Sequence, residues 1–332
     1  MASSDLDPRP GLVRRLRLAS HLLADASYDA LRYWRHSFTA GARVQENLRA
    51  RIAIGLHFLE YGMSLRDAQP GHALDRAMRL AADLDTYTRR FGPDATVQIA
   101  LDALEAYLGF NAASGHDLPA LRARVDALVG GADEGLRGGV EMVTASEIRE
   151  KGRIDFLSFA EARHSIRQYS PEPVPREAIE RAVRVAQQSP SSCNRQTCRA
   201  WIWTEREAVQ KVLALQNGNR GFGDQLGGVA VVTSDIAHWE TAAERYQGWV
   251  DGGMFAMSLA YGLHAEGLGA VMLNWSVSQA RDRALRRLTG IGDSSLIITM
   301  IGFGCLPDEL RVPVSQRKPL GYALALNQPL AG

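Results

Sequence analysis

Apolar side chains recur at three- and four-residue intervals through the first third of the chain. The clearest case is Ala77, Leu80, Ala81, Leu84 and Tyr87, which fall on one face of a helix at about 3.6 residues per turn. Gly92-Pro93-Asp94 ends that helix and starts another, whose stripe of Val97, Leu101, Leu104 and Leu108 runs to Asn111. From about Leu12 to Leu128 the spacing predicts helices, with an α-hairpin as the simplest unit, and no two-residue alternation of strands. The glycine-rich run Gly130–Gly139 has almost no side chain to bury and sets an expected boundary between a helical domain, 1–139, and a second domain, 140–332. Beyond it the pattern is mixed. Pro175 opens a helix carrying Ile179, Ala182, Val183 and Ala186, and short strands are expected at 200–204, 229–233, 270–273 and 296–301. Gly253–Ala265 is apolar nearly all round, which predicts a helix buried on every side, in a core or a dimer interface. The whole order predicts an α+β domain with a central mixed sheet flanked by helices, preceded by an all-α domain.

Composition narrows the function classes. The 332 residues carry 38 Lys and Arg against 37 Asp and Glu, so no overall field draws the molecule to nucleic acid. Cys193, Cys198 and Cys305 are too few and too odd in number for a disulfide framework, which favours a reducing compartment and a cytoplasmic location. No segment reaches the roughly 20 apolar residues of a membrane span. Met1–Arg17, with Asp5, Asp7 and several arginines, has no signal-peptide core.

Two segments concentrate polar chemistry. In Arg163-His164-Ser165-Ile166-Arg167 an extended backbone would aim Arg163, Ser165 and Arg167 at one side, a set of donors matched to phosphate oxygens; a solvated basic edge strand is the plainer alternative. Gln188–Gln196 is a loop of hydroxyl and amide groups between a helix and a strand, which alone could be a simple helix-stop turn.

Taken together, Arg-His-Ser-Ile-Arg, a Pro-initiated helix and then Ser-Pro-Ser-Ser-x-Asn-x-Gln resemble the opening of the flavin-dependent nitroreductase family. The resemblance covers about Phe156–Leu320 and takes in Asn219, ten residues before the Val229 strand, and Ser315-Gln316-Arg317 near the C-terminus. It departs from the family at Thr197-Cys198, where Pro-Trp is common, and at Leu273-Asn274-Trp275-Ser276. The resemblance implies FMN at a homodimer interface. The Arg163 strand with His164, Ser165 and Arg167, and Asn219, Asn274 and Arg317, would come from one protomer, and the Pro190–Asn194 loop with Ser191 and Ser192 from the other, with Gln196 and Trp275 also among the cofactor-binding residues. It also implies NAD(P)H as electron donor, a small nitro, quinone or enone acceptor, and ping-pong turnover with the chemistry on the flavin itself. Phe58–Leu65 is similar to the helical extension of a subgroup linked to polysaccharide biosynthesis, so a flavin-binding scaffold with a protein partner on the helical domain stands as an alternative, and a flavin-fragmenting enzyme as a minor one.

Other signals have plainer readings. Gly221–Gly227 precedes a strand, whereas a dinucleotide-binding glycine run follows one. The cysteines lack the ligand pairs of a zinc site, so no metal is expected. By alternation His164 faces away from Arg163 and Ser165, which also allows a packing role. Arg281, Arg283, Arg286 and Arg287 form a basic helix that Asp282 and the neutral overall charge mark as a solvated face. Trp239, Trp249 and Trp275 are expected in the core, although a place along the flavin cleft stays open.

Overall fold

In the computed structural model the described residues are 11–131 and 135–328. Met1–Pro10, most of the Met1–Arg17 stretch read for a signal-peptide core, and the middle of the glycine run, 132–134, lie outside them. The first third is helical as the stripes require: α1 (Leu12–His36), α2 (Gln45–Ser64), α3 (Leu74–Phe91), α4 (Ala95–Ala113) and α5 (Pro119–Asp126). Every member of the α3 stripe is buried, and Asp94 caps α4 by accepting from the Thr96 N–H at 2.9 Å. α2 to α5 close around one core that contains Leu59, Leu84, Leu104 and Tyr107.

Two glycines of the run are held closely: a Cβ on Gly131 would collide with the carbonyl oxygen of Asp94, and one on Gly138 with that of Ile99, so at these two positions only glycine fits. Glu60 of α2 accepts from the Gly139 N–H at 3.0 Å, which ties the far end of the run to the bundle.

The second part contains α6 (Ala145–Lys151), α7 (Phe156–Ala162), α8 (Arg176–Gln187), β1 (Cys198–Trp203), α9 (Arg206–Leu213), β2 (Gly228–Asp235), α10 (Gln247–Ala265), β3 (Leu268–Leu273), α11 (Gln279–Thr289) and β4 (Ser295–Cys305). This is the expected α+β arrangement. The strands lie in the order β1-β2-β4-β3, and every ladder is antiparallel. The parallel component is confined to one bridge, Ser165 with Ala270, at the outer edge of β3. β2 and β4 are central, and their near-continuous burial reflects helices on both faces of the sheet.

α10 is the principal helix against the sheet. For Gly253–Ala265 the apolar circumference predicts burial on every side, in a core or a dimer interface; within one chain Gly253 is exposed and Met257 and Tyr261 are half-buried, on a face that continues back through the exposed Val250 and Tyr246. The other side of α10 meets α8 so closely that a Cβ on Gly262 would stand 2.6 Å from the carbonyl oxygen of Ala182. Gly262→Ala is therefore expected to destabilise by about 1–3 kcal/mol despite its better helix propensity, read as a fall of several degrees in Tm.

α1 belongs in space to the second part. It docks by its polar side: Tyr28 donates to Asp282 at 2.9 Å, Arg32 to the carbonyls of Asp293 and Ser295 at 2.8 and 2.7 Å, and Tyr33 to the carbonyl of Thr241 at 2.5 Å. Its leucines at 12, 16, 23 and 31 stay exposed. α2 makes the other junction, where buried Asn47 accepts from the Val44 N–H and donates to the Ala237 carbonyl at 2.7 Å.

Candidate functional site

The segment after α7 is fixed by its apolar residues. Ile166 is buried over Gly269, its N–H donates to the Ala270 carbonyl at 3.0 Å, and buried Tyr169 donates its hydroxyl to the Ile166 carbonyl at 2.7 Å. With Ile166 turned inward, its neighbours are left at the surface. The segment is extended, joined to the sheet by the Ser165 bridge alone instead of forming a full strand.

Arg163, His164 and Ser165 line a cleft of about 610 Å³ together with Ser315, Gln316 and Arg317 from the C-terminal stretch, over Met257 and Tyr261 of α10. Residues about 150 apart in sequence thus meet at one place. Among the described residues neither Arg163 nor Arg317 has an ion pair, and Arg317 donates only to the Ser315 carbonyl, at 3.1 Å. His164 joins the cleft wall, so alternation does not take it out of the site. Arg167 is exposed one step further along.

The second predicted segment forms a separate structure. Pro190, Ser191 and Gln196 line a small cavity of about 80 Å³ with Asp251 and Phe255 of α10. Cys193, Asn194 and Gln196 all have positive φ, near +50°, a conformation that costs about 1 kcal/mol or more for a non-glycine residue and must be held by its surroundings. Three contacts hold it. Buried Asp251 accepts from the Ser192 N–H at 3.1 Å, Ser191 Oγ accepts from the Gln196 N–H at 3.0 Å, and Arg195 turns inward. The Arg195 guanidinium donates to Glu244 at 2.6 Å and to the His238 carbonyl at 3.1 Å, and lies 4.9 Å from the Trp239 ring centre. α2 packs against this loop and against the turn at Ile236–His238, so the helical bundle backs the segment directly.

A third group sits between α9 and α11. The Asn219 amide donates to the Leu213 and Gln216 carbonyls at 2.9 and 3.0 Å, so its donors are spent within its own loop. Buried Gln216 donates to the Asn274 carbonyl at 3.1 Å and links that loop to the segment after β3. Trp275 donates to Asp282 at 3.0 Å; Asp282 also takes hydrogen bonds from Tyr28 and, at 2.7 Å, from Arg286. Burial pulls the Asp282 carboxyl up, but the bonds from Arg286 and Trp275, the Arg286 charge and the Tyr28 bond outweigh it and hold the group below the usual carboxylate range.

These contacts correct the reading of α11 as a solvated face. Asp282 and Arg286, four residues apart, share one buried side of the helix, and Arg283 and Arg287 form the exposed side. Trp239 is fully buried, Trp275 is half-buried and Trp249 is exposed. Among the thiols, burial raises Cys198 to about 11 and also raises Cys305, which makes both poor nucleophiles at neutral pH. Sequence reasoning missed Arg195, Glu244 and Asp251. The one visible signal was Asp251 itself, the single acidic residue of a predominantly apolar helix.

The predicted residues thus fall in three places: the Arg163 cleft, whose wall also carries Glu161, a strained polar loop on the bundle side, and a linkage from Asn219 through Gln216 to Asn274. Residues 160–220, which hold the first two sequence segments, match the family model described as the Nitroreductase family. A curated Archaeoglobus fulgidus protein, provisionally named NADH dehydrogenase/NAD(P)H nitroreductase, is 26% identical over 154 residues, covering 46% of this chain and 86% of that protein. Similar solved structures include a Desulfovibrio desulfuricans protein, provisionally named nitroreductase and solved with FMN; it is 21% identical with a TM-score of 0.46, over 54% of this chain and 99% of that one. Another is an FMN-dependent nitroreductase of Clostridium difficile, 17% identical with a TM-score of 0.45, over 52% and 99% of the two chains. Within the second part of the chain, residues 160–220 are thus similar to the Nitroreductase family.

Proposed function

We propose that this chain, through its nitroreductase-like second part, is a flavin-dependent oxidoreductase that holds FMN with its phosphate in the Arg163 cleft. The observation that carries the reading is the meeting of Arg163, Ser165 and Arg317 around one cleft with no carboxylate paired to either arginine among the described residues. A phosphate of about two negative charges calls for more than one cation, and planar guanidinium groups suit its oxygens. Ser165 would donate a further hydrogen bond, while Arg167, Asn274 and Trp275 would lie toward the ring system. Bound FMN supplies hydride transfer from a nicotinamide donor to a small nitro, quinone or enone acceptor in alternating half-reactions. The protein's part is to bind, orient and leave the reactive face open.

The separation of the 190–196 loop from the Arg163 cleft within one chain supports the second half of the proposal. Two copies associate through the exposed face of α10, and the Pro190, Ser191, Ser192, Asn194 and Gln196 segment of each completes the site of the other. Asn219 acts there by positioning Asn274 through Gln216, since its amide donors are already used. The helical region 1–139 serves as an accessory domain that braces the site, by α1 at Asp282 and by α2 behind the Arg195 loop. A setting in polysaccharide biosynthesis, in a reducing cytoplasm suited to three free thiols, is part of the same proposal. Among the described residues no helix is long and apolar enough to cross a membrane.

The test is the double variant Arg163→Ala, Arg317→Ala. Loss of two charge-assisted phosphate contacts, each worth about 1.5–3 kcal/mol, is expected to weaken FMN binding by roughly 100-fold or more with an unchanged Tm of the apoprotein. Unaltered FMN retention would place the phosphate elsewhere.

A further inference from the structure

The basic side of α11 is left unused by the flavin reading, and the fold sets a second basic surface opposite it. α1 and α11 enclose a cleft of about 560 Å³, within the range of small-ligand sites and sharing no lining residue with the Arg163 cleft. α1 contributes Arg32, Arg35 and His36; α11 contributes Arg283, Arg286 and Arg287. Asp293 is the acidic residue on the wall.

The cations divide into two kinds. Arg32 and Arg286 are buried and committed: Arg286 to Asp282 and to the Gly292 and Ser295 carbonyls, Arg32 to the Asp293 and Ser295 carbonyls with Asp29 at 3.7 Å. They build the floor. Arg35, Arg283 and Arg287 are exposed and have no ion pair among the described residues. Arg283 lies 5.0 Å from the centre of the Tyr28 ring and Arg32 5.3 Å from it, so one aromatic ring holds two cations in place. The Nε2 atom of His36 is buried on this wall with no partner. Charged helix faces that merely meet solvent usually mix signs; here three free guanidinium groups converge against one carboxylate. Beside them the exposed faces of Trp34 and Leu31 offer a flat apolar wall.

We propose that this cleft binds a phosphorylated nucleotide, with the phosphates on Arg35, Arg283 and Arg287 and the base against Trp34. The oligophosphate answers the unpaired charge, and the stacking surface distinguishes a nucleotide from a bare anion. The site is independent of the flavin proposal.

The experiment is calorimetric titration of the purified full-length protein with ATP and, separately, with inorganic pyrophosphate at low salt. The same titrations follow for the charge-reversal variant Arg283→Glu, Arg287→Glu and for Trp34→Leu. Both ligands are expected to bind, ATP more tightly. Charge reversal should weaken both by 10-fold or more with Tm and flavin content unchanged, and Trp34→Leu should weaken ATP alone. Absence of binding below millimolar concentration, or an affinity that charge reversal leaves intact, overturns the site. Equal affinities for ATP and pyrophosphate, insensitive to Trp34→Leu, overturn its nucleotide character. A single-stranded oligonucleotide bound more tightly than ATP at the same salt overturns the small-molecule assignment. Because flavin content is read separately, a colourless protein would count against the flavin reading and leave this result to stand.

Discussion

Arg195→Ala is expected to lower stability by about 3–5 kcal/mol, a fall of roughly 6–15 °C in Tm. The side chain is nearly fully enclosed and does three things at once: it pairs with Glu244, donates to the His238 carbonyl and lies against Trp239. Removing it leaves a partly buried carboxylate with only the Glu240 and Thr241 N–H groups as donors. Arg195→Lys should recover little, because a single ammonium cannot reach both acceptors with the geometry of a guanidinium fork. The positive-φ residues Cys193, Asn194 and Gln196 flank the anchor, so hydrogen exchange should rise at the 191–196 amides in the same variant. A double-mutant cycle with Glu244→Gln isolates the pair, and a coupling under about 0.5 kcal/mol would refute the role given to it.

The second large effect is expected at Asp282. It takes hydrogen bonds from Tyr28 of α1, Trp275 beside the proposed flavin position, and Arg286 on its own helix. Asp282→Ala leaves the buried Arg286 without its counter-charge and should cost about 3 kcal/mol or more, with α1 becoming the first site cut by protease. A pH dependence follows. The Asp282 carboxyl sits below its ordinary value in the folded protein, so its contribution is fully present above the unfolded carboxylate value of about 4 and is lost as pH falls through the lower folded value. Glu244 behaves the same way: burial raises it, but the Arg195 bond, the Thr241 and Glu240 N–H groups and the Arg195 charge hold it low. Denaturation midpoints should therefore drop steeply below about pH 4 in the wild type. The drop should be shallower in Asp282→Asn, which has less stabilisation left to lose.

Local patterns were readable along the chain wherever one face of an element is buried. The α3 stripe and the β2 and β4 runs answer to side-chain periodicity, and each lies where the spacing predicts. In the Arg163 segment alternation puts Arg163, Ser165 and Arg167 on one side; Arg163 and Ser165 do line one cleft, but His164 joins them and Arg167 is outside its wall. What local pattern could not carry were the contacts between distant segments. α1 looks like any amphipathic helix, yet it docks by Tyr28, Arg32 and Tyr33 and leaves its leucines exposed, since the partners of those polar groups lie more than 200 residues away. Asp282 argued for a solvated α11 only because Trp275 and Tyr28 could not be placed beside it. Gly131 and Gly138 lie in a run that reads as a boundary with almost no side chain to bury, whereas the Asp94 and Ile99 carbonyls that exclude a Cβ there are invisible in the run itself.

The most direct measurement is the visible spectrum of the freshly purified protein, with the mass of any chromophore released on denaturation. An oxidised-flavin spectrum with about one FMN per chain, bleached by NADH or NADPH, is the result this account predicts. A colourless protein that also fails to take up added FMN would contradict it.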